Sequence, residues 1–227
     1  MTSVIDYKRW DFTGRGKNIL PFLTQQERAI WFVALPFQDK RNDPGQGEIV
    51  TYFSLFLLRL IYARRKIVIP SAILHDIGWG KIKNADKMHR DAVRDGIVDT
   101  IAYRMTHQTK GVEIAKKILS QLGFQTVQDR KLIYDIIGDH DTRIYEPTIE
   151  GKIMMDADIL WRFTVPHRNA YLADKTVSEL IAIMNKELKK PNRFYTPEAL
   201  EIAKQEMANT IAWIFSQQIK EGRAPNA

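Results

Sequence analysis

Two histidine–aspartate pairs, His75-Asp76 and His140-Asp141, are the residues of this sequence best suited to chemistry. Chance predicts fewer than one such pair in a chain of this composition. The first pair interrupts a segment that is apolar on both sides. Burying an imidazole beside a carboxylate is costly unless the two groups pair or bind a cation. The pattern therefore favours a metal or catalytic site over an ordinary hydrogen-bonded core histidine.

A further pair of acids, Asp156 and Asp158, stands in a segment that is predicted to be a helix from residue 148 to residue 162. Residues two apart on a helix are about 200° apart around its axis, so both cannot face one site directly. We expect one of them to be a metal ligand and the other to support it or to face solvent. The alternative is that both are acids on a solvated helix face.

The chain contains no cysteine, which excludes disulfides, thiolate metal ligands and a cysteine nucleophile. Any metal must therefore be held by histidine, carboxylate or amide groups. An imidazole combined with carboxylates, with open positions for water, suits a divalent ion such as Mn, Fe, Mg or Zn. The lack of cysteine is also compatible with the cytoplasm, where we expect the protein to be located.

Helices must position these residues, because apolar residues recur at helical spacing along most of the chain and alternating strand-like runs are nearly absent. The predicted fold class is all-α. Pro70 is predicted to lie in the first turn of the helix that carries His75, and this helix is predicted to stop near Gly78 and Gly80. Thr176 and Glu179 are predicted to form a capping box at the start of a later helix. Residues 38–45 and 81–90 are predicted loops. The remaining predicted helices span residues 23–37, 48–64, 91–105, 108–122, 127–138, 148–162, 176–189 and 196–220.

The motifs between Gly45 and Phe163 resemble those of the HD superfamily of metal-dependent phosphohydrolases. The segments that carry the resemblance are Ala72–Gly78, the helix opening at His107, the turn Gly138–Arg143, and Asp156–Asp158. The resemblance implies an all-α, HD-domain-like helical bundle that binds a divalent metal. The metal ligands that it implies are His75, Asp76 and Asp158, with His107 and His140 added in members that hold two metals.

The resemblance also divides the chain into three segments. Residues 1–44 are predicted to form an N-terminal helical extension, and residues 45–165 the HD-like metal-binding core. Residues 166–227 are predicted to form C-terminal helices that pack on this core.

The sequence departs from the family at the first metal-binding histidine. Its expected place falls near Gln46, and no histidine precedes His75 in the chain. Gln46 could ligate the metal through its amide oxygen, or Glu48 could substitute for it. An amide is a weaker ligand than an imidazole for transition metals. The sequence leaves both options open.

The resemblance implies hydrolysis of a nucleotide or another small phosphate ester. Asp76 or His140 would orient the attacking water or move its proton. Basic residues next to the motifs would contact the phosphate oxygens, and the sequence offers Lys81, Lys83, Arg143 and Arg162. Each of these four residues is alternatively a solvated surface charge. His89 and His167 are predicted to be exposed to solvent, and Trp79 to be a core residue.

Two other functions stay open. An HD-like module that has lost its first ligand would sense a nucleotide without turning it over. The formal charge of +7 suits an anionic partner, but it is spread along the chain and no nucleic-acid-binding motif accompanies it, so nucleic acid is not the expected partner. No apolar stretch is long enough to span a membrane, so no membrane partner is expected. Self-association into a homo-oligomer is left open.

Overall fold

The structure is a computed structural model that describes residues 7, 10, 12, 16–41, 43, 45–98, 100–124 and 126–220 of the chain. Within these residues the regular structure is entirely helical, with ten α-helices and no β-strand. The all-α prediction is confirmed. In the described part of the chain, no helix combines the length and the apolar character that a membrane crossing requires.

The helices are α1 (Gln25–Ala34), α2 (Gln46–Leu57), α3 (Arg65–Leu74), α4 (Ala85–Arg94), α5 (Ile101–Gln121), α6 (Val127–Asp139), α7 (Ile149–Trp161), α8 (Val165–Leu172), α9 (Val177–Lys189) and α10 (Pro197–Lys220). Threonine precedes seven of them and caps the first turn, because its hydroxyl accepts a hydrogen bond from a backbone N–H that has no partner within the helix. The capping box predicted at Thr176 and Glu179 is present at the start of α9.

The centre of the fold is α3, which packs against α1, α2, α6 and α7. Every residue from Ile67 to Leu74 is buried. His75 follows directly, so the core itself holds the first candidate ligand in place. The same hydrophobic cluster also includes Trp31 and Met184, from the segments before and after the metal-binding core. The division of the chain at residues 45 and 165 stays a prediction.

The prediction for the start of α3 was wrong. Pro70 lies inside the helix, which begins at Arg65, and not in its first turn. A proline in a helix interior costs about 3 kcal/mol, because it removes a hydrogen bond and crowds the preceding turn. Ile67, Val68 and Ile69 are completely buried, and each such side chain contributes about 1.5 to 3 kcal/mol. Burial of the preceding turn therefore outweighs the cost of the proline.

The predictions for residues 81–122 were also wrong in two places. Residues 85–90, expected in a loop, belong to α4, and α5 runs unbroken where two helices were expected. Only Ala85 and Ala92 of α4 are buried, so few apolar residues mark this segment as a helix in the sequence. Ion pairs between residues four apart stabilise it instead, namely Asp86–Arg90 and Lys87–Asp91.

A short 3-10 turn, Ile77–Lys81, joins α3 to the following chain and packs directly on α5. Gly78 makes this contact possible, because a Cβ atom at that position would lie 1.8 Å from the carbonyl oxygen of His107. The turn thus fixes the distance between the end of α3 and the middle of α5, where two sets of candidate ligands lie.

Candidate metal centre

Five helices bring the predicted ligands to one place. The side chains come from the first turn of α2 (Gln46), the two residues after α3 (His75 and Asp76), the middle of α5 (His107), the residue after α6 (His140), and α7 (Asp158). The three histidine side chains are almost fully buried, and the two carboxylates are about one-fifth exposed. The structure therefore assembles a buried polar cluster from residues that are up to 112 positions apart.

Asp76 lies at the centre of the cluster and divides it into two halves. The His75 half consists of Gln46, His75 and Asp158 together with Oδ2 of Asp76. In this half His75 Nε2 lies 3.4 Å from Asp158 Oδ1 and 3.7 Å from Asp76 Oδ2. The amide nitrogen of Gln46 donates a hydrogen bond of 3.1 Å to Asp158 Oδ1.

The His107 half consists of His107, His140 and Asp141 together with Oδ1 of Asp76. His107 Nε2 lies 3.2 Å from Asp76 Oδ1 and 3.4 Å from His140 Nε2. His140 Nε2 lies 3.6 Å from the same oxygen of Asp76. The donor atoms of Asp76, His107 and His140 all lie within 4.8 Å of one another. Asp141 Oδ2 approaches the two imidazoles to 3.5 and 3.8 Å.

Backbone carbonyl groups orient two of the imidazoles. Nδ1 of His75 lies 2.8 Å from the carbonyl oxygen of Ala72, and Nδ1 of His140 lies 2.9 Å from that of Ile137. A carbonyl oxygen can only accept, so we assign the ring hydrogen to Nδ1 in both residues. Nε2 of each ring is then directed at the cluster, as in histidines that bind metals in other proteins.

The residues present fit a divalent cation. Two ligands that each lie about 2.1 Å from a metal at ordinary coordination angles are about 3.0 to 3.5 Å apart. The separations of 3.2 to 3.6 Å between Asp76, His107 and His140 are close to this range. Imidazole and carboxylate donors together suit Mn, Fe or Zn.

Arg41 is a member of the site that sequence reasoning missed. Its Nη2 donates to Asp76 Oδ2 at 2.7 Å and to the amide oxygen of Gln46 at 3.0 Å. Asp43 pairs with the same guanidinium at 3.0 Å. Asn42 and Pro44, in the predicted loop 38–45, lie outside the described residues. Arg41 therefore places a fixed positive charge in the His75 half.

Trp79 forms an aromatic wall of the site. Its ring stacks on His107 with a centroid distance of 4.6 Å and an interplanar angle of 12°. The guanidinium carbon of Arg41 lies 4.7 Å from the centroid of the same tryptophan, which is a cation–π distance. Trp79 is buried, as predicted for a core residue, but it also holds two side chains of the site in position.

Asp76 and Asp158 are ionised, because the attraction of the nearby cations outweighs the unfavourable effect of burial on a charged carboxylate. Burial alone would raise the pKa of Asp76, but the charges of Arg41 and His75 hold it well below its usual range. Burial likewise disfavours the charged form of Asp158, and the hydrogen bond and charge of His75 lower its pKa nonetheless. Asp76 and Asp158 can therefore each offer a charged oxygen to a cation at neutral pH.

The three histidines differ in protonation. Burial lowers the pKa of His107. Burial acts in the same direction on His75, but Asp76 and Asp158 outweigh it and raise its pKa. Burial also opposes protonation of His140, yet Asp141 and Asp76 raise its pKa to about 9. His107 is therefore the imidazole most ready to bind a metal without first losing a proton.

The structure separates the roles of the two acids in α7. Asp158 faces the cluster, as the resemblance implies. Asp156 is buried on another side of the helix, where its carboxylate accepts hydrogen bonds from the backbone N–H groups of Tyr195 and Thr196 at 2.8 and 2.9 Å. It also accepts one from the hydroxyl of Thr196 at 2.6 Å. Asp156 therefore holds the start of α10 and is not a ligand.

Glu48 lies away from the metal cluster. Its Oε1 accepts hydrogen bonds from the backbone and side chain of Asn18 at 3.2 and 3.4 Å. Of the two options for the missing histidine, Gln46 is therefore the residue that lies in the site. Its amide oxygen is already occupied by Arg41.

The predicted phosphate-binding residues have different surroundings. Arg143 donates to Asp139 Oδ1 from Nε and Nη2, at 2.9 and 2.5 Å, so its guanidinium is already engaged. Lys81 is exposed, and its Nζ lies 5.7 Å from the ring centroid of Phe37. Arg162 directly follows α7 and is partly exposed.

Two histidines that were expected to be exposed are partly buried. His89 belongs to α4, and its Nδ1 lies 2.6 Å from the hydroxyl of Tyr103. Burial, with the charges of Arg41 and Arg162, lowers the pKa of His89 to about 4. His167 lies beside Trp161, and burial together with Arg162 lowers its pKa to about 3. The expectations of solvent exposure were wrong for both.

Asp141 and Gln108 were not predicted as members of the site. Asp141 belongs to the second histidine–aspartate pair, and that repeat was a signal that could have identified it. Gln108 follows His107 and is completely buried. With the amide orientation that satisfies all its neighbours, its oxygen accepts from the backbone N–H groups of His140 and Asp141 at 3.0 and 2.9 Å. Gln108 therefore fixes the turn that presents the second pair.

The comparison with known protein families agrees with this geometry. Residues 50–162 match the family model of the HD domain. The matched range includes both histidine–aspartate pairs, His107 and Asp158, and begins after Gln46. No curated protein and no solved structure matches the chain. The resemblance predicted from the motifs is confirmed: the chain contains an HD domain and belongs to the HD superfamily.

Proposed function

We propose that the protein is a metal-dependent phosphohydrolase that acts on a nucleotide or another small phosphate ester. The observation that carries the proposal is the group formed by Asp76, His107 and His140, whose donor atoms all lie within 4.8 Å of one another. Members of the HD superfamily share this type of donor set, as the resemblance implies. The family match supports metal-dependent phosphohydrolase chemistry, and the nucleotide or small phosphate ester is our addition to it.

The residues of the chain would hold the metal and shape its surroundings. Asp76 Oδ1, His107 Nε2 and His140 Nε2 are the proposed ligands, and Asp141 lies beside them. A divalent ion supplies a Lewis acid that polarises a phosphoryl oxygen and lowers the pKa of water. Trp79 covers one imidazole and keeps bulk water from that side. Once Asp76 and His140 hold the metal, neither has a further atom free for water, so Asp141, at 3.5 and 3.8 Å from the two imidazoles, is the group proposed to orient it.

A small cavity beside the His75 half has room for about one water molecule. Residues of the 38–43 segment line it, together with Gln46, His75, Asp76 and Trp79. Lys81 and Arg162 are proposed to contact phosphate oxygens. Neither side chain forms an ion pair with an acid in the part of the chain that the structure describes. Arg143 would have to release Asp139 before it could bind substrate.

The test is phosphate release from a panel of nucleotides, phosphomonoesters and phosphodiesters in the presence of Mn, Fe, Mg or Zn. We expect turnover that a chelator abolishes and that Asp76→Asn reduces by at least about 100-fold, because this residue contributes to both halves of the site. Activity that survives the chelator, or activity confined to carboxylic esters and amides, would refute the proposal.

A second function is favoured by one specific observation. Arg41 pairs with Asp76 and supplies a positive charge that a metal would otherwise supply. Such a site suits a module that binds a nucleotide without hydrolysing it. The same experiment distinguishes the two functions. A nucleotide that remains bound to the purified protein, with no product formed at any metal, would support the binding module.

A further inference from the structure

We infer that Arg41 is a built-in cation that occupies the His75 half of the site, so that the protein holds a single divalent ion, in the His107 half. The inference rests on the proposed metal centre and specifies how it works. It assigns a role to a residue outside the range that matches the HD domain. It also explains why a glutamine stands where the family places a histidine.

The first argument is the number of partners that hold Arg41. Its guanidinium donates to the carboxylates of Asp76 and Asp43 and to the amide oxygen of Gln46. Its side chain is only 18% exposed. Charge-assisted hydrogen bonds from a buried guanidinium are among the strongest in proteins. Arg41 is therefore held in one place by three polar partners and is not a surface side chain that happens to touch Asp76.

The second argument is the role of Gln46. A glutamine amide both donates and accepts, whereas a neutral imidazole whose Nε2 faces the cluster offers only an acceptor. Gln46 uses both functions, because its nitrogen donates to Asp158 and its oxygen accepts from Arg41. A histidine could not bridge a carboxylate and a guanidinium in this way with one ring nitrogen. Gln46 is thus suited to Arg41 and not to a metal.

The third argument is electrostatic. A metal bound to Asp76 Oδ2 would lie within about 2.6 Å of that oxygen, and Arg41 Nη2 already lies 2.7 Å from it. The two cations would therefore be less than about 5.5 Å apart in a buried site, where repulsion is poorly screened. Oδ1 of Asp76 faces the other way, toward His107 and His140, and is not in contact with Arg41. The His107 half therefore stays available to an ion.

The experiment counts bound Mn²⁺ by calorimetric titration and by electron paramagnetic resonance of the intact chain. For the wild type we expect one ion per chain and the spectrum of an isolated ion. For the double variant Arg41→Met, Gln46→His we expect two ions and the spectrum of an exchange-coupled pair, since two-metal sites hold their ions about 3.5 to 4 Å apart. Gln46→His alone should still bind one ion, because Arg41 remains.

The control is Arg65→Met. This variant also removes an arginine from a buried acid, since Arg65 donates to both carboxylate oxygens of Glu27 at 2.8 and 2.7 Å, but it lies outside the cluster. It should bind one ion with wild-type affinity. Two ions in the wild type, or one ion in a folded double variant, would overturn the inference and leave the metal centre intact. No ion in the wild type would overturn the proposed metal centre as well.

Two further variants decide the question if the double variant does not fold. His75→Gln should keep one ion with an affinity within about threefold of the wild type, because His75 lies in the half that Arg41 occupies. His107→Gln should weaken Mn²⁺ binding by at least about tenfold, because it removes a ligand. A large loss of Mn²⁺ affinity in His75→Gln together with a small loss in His107→Gln would place the ion in the His75 half and contradict the inference.

Discussion

Asp76 uses its two carboxylate oxygens for different partners, and this division organises the site. Oδ2 accepts from Arg41, whereas Oδ1 faces His107 and His140. Asp76 therefore contacts the fixed cation Arg41 with one oxygen, and its other oxygen is proposed to bind an exchangeable divalent ion. Asp156, although it lies only two residues from Asp158, stabilises the fold and takes no part in this arrangement.

Asp156→Ala is expected to destabilise the protein without removing its metal. The substitution leaves two backbone N–H groups and one hydroxyl without an acceptor at a buried position, which costs about 2 to 4 kcal/mol. Chemical denaturation measures the loss, and Glu201→Ala, at an exposed position later in α10, is the control. Loss of Mn²⁺ binding by the folded Asp156→Ala protein would show that Asp156 belongs to the metal site.

Sequence reasoning found most of the candidate ligands but not their partners. The helix geometry of Asp156 and Asp158 predicted that they divide their roles, and the motifs indicated which of them faces the site. Arg41 gave no signal, because it stands in a run of turn-forming residues and its contact with Asp76 depends on the path of the loop. Ion pairs between distant segments are not encoded in local pattern or spacing.

The 3-10 turn Ile77–Lys81 fixes the position of Asp76 relative to His107. Asp76 lies directly before it, and its Gly78 contacts the backbone of α5 at His107. The position of Asp76 relative to His107 therefore depends on a close backbone contact that only glycine allows. The sequence predicted a stop near this glycine but could not show that the stop packs on another helix.

Gly78→Ala is expected to weaken both stability and metal binding. Its Cβ atom would lie 1.8 Å from the carbonyl oxygen of His107, so the turn must move, at a cost of about 3 kcal/mol. Gly138→Ala is the control, because its Cβ meets only a methyl group of Val112 at 3.3 Å, and alanine favours a helix by up to about 1 kcal/mol over glycine. Equal stability and equal Mn²⁺ affinity in the two variants would contradict this role for Gly78.

Helices with buried faces were predicted well, and the one with an exposed, charged face was not. α7 and α9 begin within one residue of their predicted starts, because each has a threonine cap and an apolar face. α4 carries charges on most of its surface, and its residues 85–90 were predicted as a loop, because the helix contains few apolar residues. Its ion pairs depend on residues four apart, a pattern that polar loops also contain.

Across the whole molecule, the local charge of the site differs from the net charge of the chain. The chain carries a formal charge of +7, yet Asp76, Asp141 and Asp158 converge in one buried cluster. This excess of buried acid is what Arg41 and a divalent ion would neutralise. Composition gave the positive net charge and the spacing of apolar residues predicted the helical fold, but the convergence of the acids follows only from the packing of five helices.

His167 is expected to make the fold sensitive to acid. Its pKa is about 3 in the folded protein, against 6.5 for the free side chain, so the unfolded chain binds more protons between these values and stability rises with pH. Between pH 7 and pH 5 the loss from this residue is about 2 kcal/mol. Urea denaturation at both pH values should show a loss smaller by that amount in His167→Phe. An unchanged loss would contradict the burial of His167.

A crystal structure of the wild-type protein soaked with Mn²⁺, with anomalous data collected near the manganese edge, tests the metal centre most directly. We predict one anomalous peak, at about 2.0 to 2.4 Å from Asp76 Oδ1, His107 Nε2 and His140 Nε2, with Arg41 still paired to Asp76 Oδ2. The absence of any peak beside Asp76 at saturating Mn²⁺, or a peak in the His75 half with Arg41 displaced, would contradict the assignment.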